Sequence, residues 1–179
     1  MWRDGQPVSY HQVTVPLIFM SLLPGVRLLL SELLSTERIR VPLGSHSKPD
    51  LLRELVRLAV PEAQDALHDS IVAAVEARES QVSTAMGGGL AVPHGRTDLV
   101  SALRVAAGRV ASLSGYESPD GEPVAVVFLV LTPLAASGAH VKVLARIARL
   151  MHNAESRAAL LAAPSPEAFL QVIQHAEAA

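Results

Sequence analysis

Residues 78–96 of this 179-residue chain read RESQVSTAMGGGLAVPHGR. The stretch passes through three consecutive glycines, Gly87–Gly89, and a short apolar run before it reaches Pro93 and His94. In the interior of a helix or strand each glycine would cost about 1 kcal/mol relative to alanine. Packing therefore does not account for the triple glycine, and the stretch predicts a loop whose backbone closely approaches an anion.

His94 is the candidate reactive residue of this stretch. A neutral imidazole nitrogen is nucleophilic near neutral pH and can accept a phosphoryl group. Arg78 and Arg96 bracket the histidine, and a guanidinium group offers a fixed fork of donors that suits phosphate oxygens. Pro93 restricts the backbone before the ring, and we expect Gly95 to leave room beside it for a docking partner. These residue types indicate phosphoryl chemistry, against the alternative of a loop histidine and surface arginines without such a role.

The same stretch resembles the active-site segment of the type 2 enzyme IIA domains of the phosphotransferase system (PTS), which include fructose, mannitol and nitrogen-regulatory members. In that family a Ser-Thr and glycine-rich segment runs into a short apolar strand that ends in Pro-His-Gly, and the histidine carries the phosphoryl group. The matching positions here are Ser83-Thr84, Gly87–Gly89, Leu90-Ala91-Val92 and Pro93-His94-Gly95. The likeness extends from about Leu28 to the C-terminus, although the loop is richer in glycine than the family usually shows.

The resemblance implies further residues around His94. His140 matches a histidine that lies close to the phosphorylated one, so it would bind the phosphoryl group or orient His94. We expect it to open a helix, where free N–H groups and the helix dipole favour an anion; the alternative is a solvent-facing histidine. Arg78 fits the family's active-site arginine, and Arg96 is an additional or alternative phosphate ligand.

The glycine-rich segment contributes candidate phosphate-binding groups. Thr84 would either donate its hydroxyl to phosphate or cap a turn. Gly87, Gly88 and Gly89 would either supply backbone N–H groups to the anion or only let the chain bend. Both alternatives stay open, because they depend on the conformation of the loop.

Composition excludes several classes of function. The net charge of −2 argues against nucleic acid as the main partner, because binding to a phosphate backbone needs clustered positive charge. The chain has no cysteine, which by the resemblance excludes a sugar-type IIB unit, so we expect a IIA unit without a fused IIB. No carboxylate or second histidine stands at ligand spacing beside His94 or His140, so a metal site has little support. The expected chemistry requires no metal or nucleotide cofactor.

Residues 1–26 form an N-terminal extension outside the resemblance, and residues 27–179 form the predicted IIA domain. Gly5 to Val26 contains no Asp, Glu, Lys or Arg, so a membrane segment must be considered. Prolines interrupt this segment, and its apolar run is shorter than the ~20 residues that a spanning helix needs. We favour an arm or extra strand that packs on the domain or on a second subunit, or sequence upstream of a later start such as Met20. The protein is accordingly expected in the cytoplasm, without membrane insertion.

Apolar periodicity predicts an α/β fold. Val124 to Leu131 is continuously apolar, which is typical of a strand buried on both faces, so helices should cover both sides of the sheet. Ser47 and Ser165-Pro166 predict helix starts. The prediction is a three-layer α/β/α domain with a small mixed β-sheet, which is also the fold that the resemblance implies.

We therefore expect a phosphocarrier that accepts a phosphoryl group on His94 from HPr or its nitrogen-branch counterpart NPr. It would pass the group to a IIB acceptor or hold it as a regulatory signal, and the sequence Pro93-His94-Gly95-Arg96 slightly favours the nitrogen-regulatory branch. The alternative is a non-catalytic regulatory or anion-binding module of the same fold. Transient partners should dock on an apolar rim formed by Met86, Leu90 and Val92.

Overall fold

The computed structural model describes residues 28–178 of the chain. Its helices are α1 (Leu30–Leu33), α2 (Lys48–Ala59), α3 (Asp65–Glu79), α4 (Ser137–His152), α5 (Ala154–Ala162) and α6 (Pro166–Ala178). Its strands are β1 (Ile39–Leu43), β2 (Ala85–Gly87), β3 (Leu90–Ala91), β4 (His94–Arg96), β5 (Arg104–Val110) and β6 (Val126–Thr132). The N-terminal extension lies outside the described residues. Among those described, no helix has the length and apolar character needed to cross a bilayer.

The six strands form one mixed sheet built around β6. β5 pairs antiparallel with one side of β6, and β1 extends the sheet beyond β5 in parallel. β3 and β4 follow one another along the other side of β6, both parallel to it, and β2 pairs antiparallel with β3. Leu90 lies opposite Val126, and His94 lies opposite Val130. β3 therefore pairs with the start of β6, and β4 pairs with its end.

All residues of β6 are buried, as the continuous apolar run predicts. Because side chains alternate along a strand, they divide between the two faces of the sheet. Phe128 and Val130 belong to a core cluster shared with α1, α4, α5 and α6. Leu129 and Leu131 belong to a second cluster shared with α2 and α3. The helices thus form a layer on each face, and the predicted α/β/α fold with a mixed sheet is confirmed.

Of the helix starts predicted from the sequence, those of α2 and α6 are confirmed and that of α4 is not. The Ser47 hydroxyl oxygen accepts the N–H of Asp50 at 3.3 Å and caps α2, and Pro166 is the first residue of α6. The prediction that His140 opens a helix after a loop is wrong by one turn. α4 begins at Ser137, because a 3₁₀ turn at Leu134–Ala136 continues directly into it.

Candidate active site around His94

His94 begins β4 and lies beside the last part of β6. Its Nδ1 lies 2.8 Å from the carbonyl oxygen of Val92. A carbonyl oxygen only accepts hydrogen bonds, so Nδ1 carries a proton and donates it. The half-buried neutral ring therefore has its unprotonated nitrogen at Nε2.

His140 packs against His94 from the first turn of α4. The centroids of the two rings are 5.3 Å apart, and their planes form an angle of 62°. His140 is buried, and its Nδ1 lies 3.0 Å from Oγ1 of Thr132, the last residue of β6. The structure thus brings together the two histidines that the resemblance paired. It also adds Thr132, which could have been found in the sequence as a polar residue at the end of an apolar strand. Within residues 28–178, no group of three or more His, Cys, Asp or Glu side chains is arranged to hold a metal ion.

Burial lowers the pKa of both rings. The pKa of His140 is lowered to about 4, first by burial and then by the neighbouring His94, Arg96 and Arg78. Burial also lowers the pKa of His94; the hydrogen bond to the backbone opposes this effect, and Arg78 adds to it. Both rings are therefore neutral at neutral pH, and the neutral ring is the nucleophilic form.

Gly95 allows α3 to reach this site. Gly95 is buried in β4, and a Cβ at this position would lie 3.2 Å from Cγ2 of Val75 in α3. The expectation that Gly95 leaves room for a docking partner is therefore wrong, because α3 occupies that space. Arg78 follows Val75 by one turn, and its Nη1 donates to the carbonyl oxygen of Val82 at 3.1 Å. The charge of Arg78 lowers the pKa of both histidines, so the guanidinium group acts on them electrostatically.

Arg96 connects β4 to the start of α4. Its Nη2 donates to the carbonyl oxygen of Leu134 at 2.8 Å and to Oγ of Ser137 at 2.6 Å. These bonds hold the first turn of the helix that carries His140. Nε and Nη1 of the guanidinium group carry the remaining N–H donors.

Thr84 is buried, and both of its donors go to Glu79. Oγ1 donates to Oε2 of the carboxylate at 2.6 Å, and the backbone N–H donates to Oε1 at 3.1 Å. The phenol oxygen of Tyr116 lies 3.1 Å from Oγ1 of Thr84. Thr84 therefore has no donor left for a phosphate, and its hydroxyl bonds other side chains rather than the backbone of a turn.

The triple glycine forms the turn of the β2–β3 hairpin, at the other end of β6 from His94. The φ angles of Gly87–Gly89 are 84°, 59° and 75°, in the left-handed region that favours glycine. β3 pairs with β6 four residues before the position opposite His94, a separation of about 13 Å along the strand. The N–H of Gly88 donates to Oδ2 of Asp120 at 2.7 Å, and this carboxylate would repel an anion. The place of this turn and the Asp120 carboxylate argue against these glycines as phosphate-binding amides, and the φ angles favour the alternative in which they let the chain bend.

The predicted apolar rim does not surround His94. Leu90 and Val92 are buried, and Met86 lies in the distant hairpin. The exposed large apolar side chains close in the chain to the site residues are Val82, Leu99, Leu134 and Val141. Two of them offer their carbonyl oxygens to the site arginines, and another directly follows His140. An exposed apolar residue that stands apart from any apolar periodicity carries no such signal, which is why the sequence pattern missed these four.

Known proteins resemble most of the described chain. A nitrogen regulatory protein of Bradyrhizobium diazoefficiens is 33% identical over 144 residues, which cover 80% of this chain and 94% of that protein. The fructose-specific EIIABC component of Bacillus subtilis is 33% identical over 147 residues, which cover 82% of this chain but only 23% of that protein. The crystal structure of nitrogen regulatory protein IIA-Ntr from Neisseria meningitidis has a TM-score of 0.72 at 30% identity and covers 80% of this chain and 97% of that one. Residues 32–176 match the family model "Phosphoenolpyruvate-dependent sugar phosphotransferase system, EIIA 2". The chain therefore belongs to the EIIA type 2 family of the phosphotransferase system.

Proposed function

We propose that this chain is a phosphocarrier that takes a phosphoryl group onto Nε2 of His94 and passes it on. The hydrogen bond from Nδ1 to the Val92 carbonyl oxygen carries the proposal, because it leaves Nε2 as the nucleophilic atom. The donor is the phosphohistidine of HPr or NPr, in the cytoplasm, and the acceptor is a IIB protein. In the regulatory branch the phosphorylated state itself is the signal. That branch is slightly favoured, since nitrogen regulatory proteins of 33% and 30% identity match over 94% of their length.

The transfer needs no proton movement at the reacting nitrogen. The lone pair of Nε2 attacks the phosphorus of the donor's phosphohistidine. The new N–P bond forms while the donor's P–N bond breaks, and the electron pair of that bond returns to the donor's ring nitrogen. The His94 ring then carries a positive charge, with Nδ1–H still donated to Val92. When an acceptor attacks the phosphorus, the electron pair of the N–P bond returns to Nε2 and the ring is neutral again.

Three groups beside His94 suit the charge of a phosphoryl group. Phosphoryl transfer depends mainly on positioning and on charge stabilisation, and Arg78 and Arg96 supply guanidinium donors for the phosphoryl oxygens. The Thr132 hydroxyl donates to Nδ1 of His140 in this scheme, so Nε2 of His140 carries an N–H for a phosphoryl oxygen. The lowered pKa of His140 keeps that ring a neutral donor.

The exposed apolar residues around the site form the docking surface for donor and acceptor. Val82 and Val141 have exposed fractions of 66% and 65%, so they are available without rearrangement. Exposed apolar side chains next to a reactive group are typical of a protein interaction site. A partner that covers them also excludes water from the transferring phosphoryl group.

Incubation with phosphoenolpyruvate, enzyme I and HPr or NPr, followed by intact mass measurement, tests the proposal. The parent chain is expected to gain the mass of one phosphoryl group, and His94→Ala is expected to gain none. The modification should be labile in acid and stable in base. A parent chain that stays unmodified with both carriers would refute the proposal and favour a non-catalytic anion-binding module.

A further inference from the structure

Glu79, the last residue of α3, is a buried carboxylate with both oxygens paired. Oε1 lies 2.8 Å from Nζ of Lys48 and accepts the Thr84 N–H at 3.1 Å, and Oε2 accepts the Thr84 hydroxyl at 2.6 Å. Lys48 also lies over the ring of Tyr116, 4.4 Å from its centroid. A buried charge is tolerated only when it is paired and hydrogen-bonded in this way. Removing the charge of Glu79 should therefore shift Thr84.

A series of hydrogen bonds leads from Glu79 to His94. The carbonyl oxygen of Thr84 accepts the N–H of Val92 at 3.0 Å. The carbonyl oxygen of Val92 accepts Nδ1–H of His94 at 2.8 Å. The position of Thr84 therefore affects the bond that sets the tautomer of His94.

The same carboxylate closes the loop that holds Arg78. Residues 80–83 lie between Glu79 and Thr84, and the two hydrogen bonds between these residues join the ends of the loop. Inside the loop, the carbonyl oxygen of Val82 accepts Nη1–H of Arg78 at 3.1 Å. The position of the guanidinium group thus depends on the same carboxylate.

We infer that Glu79 is a positioning residue for phosphoryl transfer, an inference that rests on the proposed function. Its carboxylate supports the Nδ1–H tautomer of His94 through the backbone of Thr84. It also fixes the loop against which Arg78 is held. Glu79 does not touch the reacting atoms, and its effect is on their alignment, to which transfer rates are sensitive.

Glu54 provides a matched control. Its carboxylate accepts the N–H of Gly44 at 3.1 Å, the N–H of Ser45 at 3.0 Å and the hydroxyl of Ser45 at 2.6 Å. Like Glu79, Glu54 accepts backbone N–H and a side-chain hydroxyl, but it is half-buried rather than buried and is not the carboxylate paired with Lys48. However, these bonds tie the end of β1 to α2, and β5 and β6 separate β1 from β4 in the sheet.

Single-turnover transfer from phosphorylated HPr would compare Glu79→Gln with Glu54→Gln. Glutamine keeps the size of the side chain but has one acceptor oxygen, and it loses the ion pair with Lys48. We expect Glu79→Gln to slow transfer at saturating HPr about tenfold, with an unchanged half-saturating HPr concentration. Glu54→Gln should retain the parent rate. Equal rates in the two variants would overturn the inference, whereas a parent chain that accepts no phosphoryl group from HPr or from NPr would refute the proposed function instead.

Nitrogen-15 NMR of the imidazole rings tests the inference without any transfer. His94 should be mainly the Nδ1–H tautomer in the parent and in Glu54→Gln, and Glu79→Gln should gain the Nε2–H tautomer. An unchanged tautomer ratio in folded Glu79→Gln would overturn the inference. If that variant does not fold, Thr84→Val should show the same change to a smaller extent and Thr84→Ser should restore the parent ratio. A parental ratio in Thr84→Val would then overturn it.

Discussion

Protonation of His140 should destabilise the fold in acid. The pKa of His140 is lowered to about 4 in the folded protein, against about 6.5 in an unfolded chain. Between these two values the unfolded chain binds a proton that the folded protein does not bind, so the free energy of unfolding falls as the pH falls. The stability that neutral His140 allows is fully present above the pKa of the unfolded chain. It is lost progressively as the pH falls towards the pKa of the folded protein.

The size of this effect follows from the two pKa values. Their difference corresponds to about 3 kcal/mol over the whole range, and to about 2 kcal/mol between pH 7 and pH 4.5. His140 is only 9% exposed but lies near the protein surface, where solvent screening weakens such effects, so both figures are upper limits. A loss of this size is a large fraction of the roughly 5–15 kcal/mol that stabilises an ordinary domain.

Urea unfolding of the parent and of His140→Gln at these two pH values measures the effect. Glutamine does not titrate, so the variant should lose up to about 2 kcal/mol less than the parent between the two pH values. His94 and the carboxylates titrate in both proteins, and most of their contribution cancels in the difference. An NMR titration of the His140 ring gives its pKa directly, and His94→Gln should raise that pKa because His94 contributes to lowering it.

Equal losses of stability in the parent and in His140→Gln would refute this reasoning. A ring that titrates near pH 6.5 would do the same. Either result would mean that His140 is hydrated in the folded protein. It would then be a charged group beside the phosphoryl site in mild acid, rather than the neutral donor proposed above.

Three further perturbations test separate conclusions about the chain. Arg78→Lys should slow single-turnover transfer about tenfold, because lysine lacks the planar fork of donors. The control is Arg53→Lys, at an exposed residue of α2 that pairs with Asp50, and it should leave the rate unchanged. Gly88→Ala should lower the free energy of unfolding by about 1 kcal/mol, since the φ of 59° at this position is unfavourable for other residues. The variant should still be phosphorylated on His94. Loss of phosphorylation would support the interpretation that this loop binds the phosphoryl group. Val141→Asp should raise the half-saturating HPr concentration without lowering the Tm, and an unchanged concentration would remove this residue from the docking surface.

Features that depend only on residues close together in the sequence were predictable from it. The buried strand β6 follows from one continuous apolar run, and the cap of α2 follows from Ser47 and the residues after it. His94 was identified because it follows the triple glycine, is bracketed by Arg78 and Arg96, and stands in a segment that resembles the active-site segment of the family. These signals need no knowledge of how distant segments pack.

The triple glycine misled the prediction for a geometric reason. It is close to His94 in the sequence, and this suggested that both serve the same site. However, the chain from Gly89 to His94 runs extended along β6, and five extended residues span about 16 Å. Neighbours in the sequence therefore lie at different ends of the strand, and the N–H of Gly88 binds the Asp120 carboxylate instead of a phosphate.

The groups around His94 were named through the family resemblance and not from periodicity or spacing, because they come from both faces of the sheet. Side chains alternate along β4, and β4 reads His94, Gly95, Arg96. His94 and Arg96 face α4, where they meet His140 and Ser137. Gly95 faces α3 and lets that helix come close enough for Arg78 to act on both rings. The order of the three residues in β4 is therefore set by packing as well as by chemistry: the glycine admits the helix that carries one arginine, and the residues on either side of it supply the nucleophile and the other arginine.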